Sequence, residues 1–201
     1  NALISGYVRH GYGVEALKCY KQMKLARVSS DAITFICALK ACSLIRDVNE
    51  GQEIHTEIER TKFLEKDPNV GTSLVDMYAK CGILREAQDI FDELPLRDVV
   101  VWTTLLTGYM DHGLSAEALN CIEMMESDNI SPNVFTYLCA LKACCSLRNI
   151  KKGQSLHSEV VKKGFDGEAL IGNILVDMYS KCFSLPDAQE VFDKMPTRSV
   201  I

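Results

Sequence analysis

The chain has 201 residues, 47% of them hydrophobic, and a formal net charge of −5. It has no run of about 18 apolar residues, which excludes a membrane-spanning helix, and its acidic total argues against bulk, sequence-independent affinity for nucleic acid. Its nine cysteines never take the C-x2-C spacing of a zinc site, so they read as small apolar packing positions with reduced thiols.

Taken in chain order, six units are predicted. Residues 1–31 begin inside a first helix, and residues 32–67 follow as a second unit. In residues 68–98, Leu74, Met77, Tyr78 and Cys81 form one helical stripe. Ala87, Ile90, Phe91 and Leu94 form another, which Pro95 stops. In residues 99–133, Leu105 and Tyr109 belong to a first stripe, and Ala118, Ile122 and Met125 to a second. Gly82 and Gly113 fall between stripes and allow a turn. Residues 134–168 and 169–199 repeat the pattern, and Val200 and Ile201 open a further unit. The sequence therefore reads as a stretch of a longer array, with no targeting leader at residue 1. No unit alternates with period two, so each is expected to be a helix–turn–helix.

The units are copies in blocks of three. SLVDMYAKCG at 73–82 returns as ILVDMYSKCF at 174–183. Gly6-Tyr7, His10-Gly11, Glu15-Ala16-Leu17, ALKAC at 38–42, Gly51-Gln52 and His55 all recur 102 positions later. From Leu74 onward the offset is 101, so one copy carries an extra residue between His55 and Leu74. A period near 35 residues implies a solenoid, because one such unit cannot bury its own apolar face. The predicted fold is an all-α solenoid superhelix forming a single array.

Catalysis finds little support. No nucleophile–base pair, glycine-rich phosphate loop or carboxylate dyad is present. Asp76 and Asp177 are the best lone candidates, but they recur on every third unit, which suits packing better than one active site. The copied pairs His10/His112 and His55/His157 read as structural or capping residues. No catalytic residue, metal or cofactor is expected.

The stretches NALISGY, ALKACS, GQEIH, LVDMYAKCG, AQDIFDELP, RDVVVWTTLLTGY and GQSLH resemble the plant pentatricopeptide repeat proteins of the P-L-S subclass. The resemblance covers the whole chain. It makes 1–31, 32–67 and 68–98 a truncated P, an L and an S unit, and 99–133, 134–168 and 169–199 a second P, L and S. It implies single-stranded RNA as partner, with one base read per repeat. The fifth and last residues of P and S units would read it: Asn1 with Asp31 (U), Thr72 with Asp98 (G), Thr103 with Asn133 (A), and Asn173 with Ser199 (C). The L units place apolar Ile36 and Leu138 at the fifth position and are assigned no base, so the implied target is U-N-G-A-N-C.

The second residues Ile33, Val100, Phe135, Leu170 and Ile201 would sandwich the bases, with Asn69 departing from that pattern. Arg9, Lys80 and Lys181 would face phosphate, and Asp111 replaces the cation in the fourth unit. The same residues also suit plain roles: helix-start core for Ile33, Val100 and Leu170, N-caps for Asp31, Asp67 and Asp98, and a solvated face for the lysines.

By this resemblance the chain is the target-recognition tract of a chloroplast or mitochondrial C-to-U editing factor. Accessory editing proteins would bind through the L units, and no membrane is involved. The alternative is a helical scaffold for protein partners, favoured by the acidic total and by Ile36 and Leu138.

Overall fold

The computed structural model describes residues 1–195. These form thirteen α-helices, and no strand is found among them. They fall into two compact units, Asn1–Gly108 and Tyr109–Ile201.

The first contains α1 (Ala2–Arg9), α2 (Gly13–Leu25), α3 (Ala32–Ile45), α4 (Val48–Thr61), α5 (Phe63–Lys66), α6 (Pro68–Lys80), α7 (Leu84–Glu93) and most of α8 (Val99–Asp111). Helices α1, α3 and α6 lie side by side in sequence. Helix α2 packs on α1 and α3, α4 on α3 and α6, and α7 on α6. Leu74, Met77, Ala87 and Phe91 are wholly buried between these layers. Trp102 meets Phe91 edge-on at 4.5 Å between ring centroids.

The second contains α9 (Ser115–Ser127), α10 (Val134–Leu147), α11 (Ile150–Lys162), α12 (Ala169–Lys181) and α13 (Leu185–Lys194). Helices α10 and α12 are adjacent, with α9 on α10, α11 on both, and α13 on α12. Their core includes Ala118, Ile122, Leu141, Leu156 and Met178, none more than marginally accessible.

First helices start where capping chemistry starts them. Helices α3, α6, α8, α10 and α12 begin one residue after Asp31, Asp67, Asp98, Asn133 and Glu168. The first four accept backbone N–H groups of the opening turn, which would otherwise lack partners. Glu168 makes no side-chain cap.

One helix is additional to the two expected per unit. Residues 32–67 carry α5, a single turn between α4 and α6, anchored by Phe63 against Phe35 at 5.2 Å. It occupies the interval where the first copy has its extra residue.

Two copied contacts set the spacing between layers. A Cβ on Gly51 would lie 2.5 Å from Met77 Sδ, and one on Gly153 would lie 2.5 Å from Met178 Sδ. The absence of a side chain lets α4 approach α6 and α11 approach α12.

Of the cysteines, Cys37, Cys42, Cys121, Cys144 and Cys145 are buried, and none is disulfide-bonded among the described residues. Burial pushes the Cys42 and Cys145 thiols up to about 12, which disfavours the reactive thiolate.

Candidate nucleic-acid interface

The starts of the first helices bring together the residues singled out for recognition. At the second helical residue of α3, α8, α10 and α12, a large apolar side chain faces solvent: Ile33 is 57% exposed, Val100 57%, Phe135 53% and Leu170 65%. These are not core positions, so the helix-start packing role is excluded for Ile33, Val100 and Leu170. Asn69 holds the same place in α6 and is also exposed, with its amide on Asp67 at 2.9 Å.

The polar positions lie beside them. Asn1 Nδ2 donates to Asp31 Oδ2 at 2.7 Å, so the first pair is in direct contact. Asp31 also caps α3, accepting the N–H of Thr34 at 2.8 Å and its hydroxyl at 2.7 Å. The Thr34 hydroxyl, then its backbone N–H, hold the Asp31 carboxyl below the usual range. Thr72 is half-buried and donates to Pro68 O at 3.2 Å, and it makes no hydrogen bond with Asp98. Asp98 Oδ1 accepts the N–H groups of Val100 and Val101 at 2.9 and 3.0 Å.

Thr103 is half-buried and donates to Val99 O at 2.5 Å. Asn133 is exposed and closes a capping box with Thr136. Asn173 is half-buried on α12. Its partner Ser199, and the sandwiching position Ile201, lie outside the described residues. In the L units, Ile36 and Leu138 are half-buried.

The cations are exposed, but two are already paired. Lys80 lies 3.0 Å from Asp76 Oδ2, and Lys181 lies 2.7 Å from Asp177 Oδ2. The hydrogen bond and charge of Asp177 raise the Lys181 ammonium above its ordinary value. Arg9 is exposed in the last turn of α1. Asp111 is exposed at the end of α8. Asp76 and Asp177 thus neutralise the lysine one turn on.

Some of this was hidden in the sequence. Thr34 and Thr136, at 1% and 0% exposure, are buried behind the unit-end residues they bond. Their signal was the copied pattern Asp31-x-x-Thr34 and Asn133-x-x-Thr136. A second copied contact is His55 Nδ1 to Tyr78 Oη at 3.0 Å, matched by His157 Nδ1 to Tyr179 Oη at 2.9 Å. Burial lowers both imidazoles from their ordinary value and raises both phenols to about 12.

Comparison with known proteins fits this architecture. The PPR repeat family profile matches residues 1–43 and 97–146, and the PPR repeat profile matches 72–99, 135–165 and 173–200. The chain is 34% identical over its whole length to the pentatricopeptide repeat-containing protein At4g18520, chloroplastic, of Arabidopsis thaliana, covering 32% of that protein. It is 38% identical to At2g33680 of the same plant, covering all of this chain and 28% of that one. It therefore spans about a third of the length of these relatives.

The crystal structure of the pentatricopeptide repeat protein PPR10 from maize matches 97% of this chain and 34% of its own, with a TM-score of 0.69 and 20% identity. PPR10 in complex with an 18-nt psaJ RNA element matches 87% of this chain and 25% of its own, with a TM-score of 0.68 and 19% identity. The fold is that of PPR10, and repeat profiles that together match residues 1–43, 72–165 and 173–200 make this chain a member of the pentatricopeptide repeat family.

Proposed function

We propose that this chain binds single-stranded RNA, one base per P or S unit, as the target-recognition tract of an organellar C-to-U RNA editing factor. The observation that carries the reading is the exposure, above one half, of Ile33, Val100, Phe135 and Leu170 at one repeated helix position. Apolar groups displayed at a fixed repeat suit the faces of unstacked bases, whose packing is sequence-tolerant and supplies affinity. The adjacent polar positions then supply discrimination.

An ionised Asp only accepts, so Asp31 and Asp98 suit bases presenting N–H, U and G. The Asn133 amide also donates, which suits A. Asn173 with Ser199 completes U-N-G-A-N-C with C. The RNA bound by PPR10 supports the class of ligand. Relatives named chloroplastic and mitochondrial support an organellar location.

Binding, not catalysis, is the role assigned to this tract, and deamination falls to another domain or partner. An accessory editing protein is a fitting additional partner. Leu44, Leu147 and Val161, 49%, 45% and 49% exposed in the L units, favour such a contact.

The test is a salt-titrated binding assay with U-N-G-A-N-C and with a version in which G and A are exchanged. Each discriminated base is expected to contribute about 1–3 kcal/mol, and interchanging the residues at 98 and 133 should reverse the preference. Equal binding of both RNAs at low salt overturns base readout.

A further inference from the structure

We infer that Thr34 is a positioning residue that fixes the Asn1 amide and thereby sets U over C in the first unit; this rests on the base-reading role proposed above. Thr34 is 1% exposed and cannot reach a base itself. Its hydroxyl lies 2.5 Å from Asn1 Oδ1 and 2.7 Å from Asp31 Oδ1. A hydroxyl has one proton to give. That proton is shared between Asp31 Oδ1 and Asn1 Oδ1, and Asn1 Oδ1 is the nearer of the two.

The Asn1 amide is then held at both ends, its oxygen by Thr34 and one N–H by Asp31 Oδ2 at 2.7 Å. The second Asn1 N–H and the remaining lone pairs of Asp31 Oδ2 are left for a base. A donor followed by an acceptor matches uracil, whose O4 accepts beside a donating N3–H. Cytosine presents the opposite order, an N4 donor beside an N3 acceptor. Without the hydroxyl, one bond holds the amide, its second N–H is no longer aimed beside Asp31 Oδ2, and the fit to uracil over cytosine weakens.

The fold supplies its own control. In α8 the corresponding residue is Val101, and its N–H still bonds Asp98 at 3.0 Å. A valine at 34 is therefore compatible with the cap. Thr136 forms the same box with Asn133, at 2.9 Å for both its N–H and its hydroxyl.

The 201-residue chain, T34V and T34S are compared on U-N-G-A-N-C and on the RNA with C in place of U. The side-chain amide of Asn1 is followed by NMR in the RNA-free proteins. T34V is expected to lower the U-to-C preference about fivefold to tenfold, leave the response to G/A exchange unchanged, and shift the Asn1 amide resonances. T34S should keep the original behaviour. An unchanged U-to-C ratio in folded T34V, or unmoved Asn1 resonances, overturns the inference. If the unmodified chain shows no preference for U while T34V still moves those resonances, the base-reading role fails instead. The specificity assigned to Thr34 then fails with it, and the contact stands as packing alone.

Discussion

The seam between α4 and α6 and the seam between α11 and α12 use the same residues but are joined by different chain. Each has a glycine against a methionine and a histidine on a tyrosine. The linking segments differ: α5 and an Asp67 cap in the first, a turn and an uncapped Glu168 in the second. The His–Tyr separation is 23 residues in one copy and 22 in the other, yet the bonds agree to 0.1 Å. The packed face is what the copies keep, and the linker absorbs the difference.

Four changes probe that contrast, from the largest effect to the smallest. Met77→Ala and Met178→Ala each remove a wholly buried side chain. Each should cost about 2–5 kcal/mol by urea unfolding, similarly in both seams. A large inequality would break the idea that the two seams are equivalent.

At the next turn the copies part. Gly82 has φ +82°, and its counterpart Phe183 holds φ +61° despite its side chain. Phe183→Gly should stabilise by about 1 kcal/mol, less what is lost from the Arg148 guanidinium over its ring at 5.3 Å. Thermal melts would measure this.

The linkers should respond unequally. Asp67→Ala removes a cap and should cost about 1 kcal/mol, while Glu168→Ala should stay within about 0.5 kcal/mol. Equal losses would show that Glu168 caps α12 in solution.

The smallest effect is a pH slope shared by both seams. Burial lowers the folded values of His55 and His157 below their ordinary 6.5. Above that value both states are neutral and nothing changes. As pH falls below it, the unfolded chain takes up protons that the folded chain resists, so stability declines until the folded values are reached. His55→Gln combined with His157→Gln should flatten unfolding curves compared at pH 7 and pH 5.5.

The helical period made the stripes through Leu74, Met77 and Tyr78, and through Ala87, Ile90 and Phe91, legible, and all six residues are buried. Helix starts were legible because Asp and Asn before an apolar run favour capping. Glu168 followed the same spacing without capping, since its longer side chain suits that geometry poorly. Helix α5 is one turn long, too short for a period to show. Whether Ile33 or Leu170 faces core or solvent depends on neighbouring units, which the apolar character of a helix start does not encode. The Thr34 and His55 contacts join residues 33 and 23 apart, and only their copying at a fixed offset hinted at them.

The His–Tyr bond carries a consequence for inheritance. Its two halves lie in different units, His55 in residues 32–67 and Tyr78 in residues 68–98. Duplicating the first of these units alone would leave a histidine without its tyrosine, and duplicating the second alone a tyrosine without its histidine. Duplicating three together preserves every such partnership at once. The lock between neighbours thus favours the triplet over the single hairpin as the heritable module, and a lengthened array gains its exposed helix-start positions in sets.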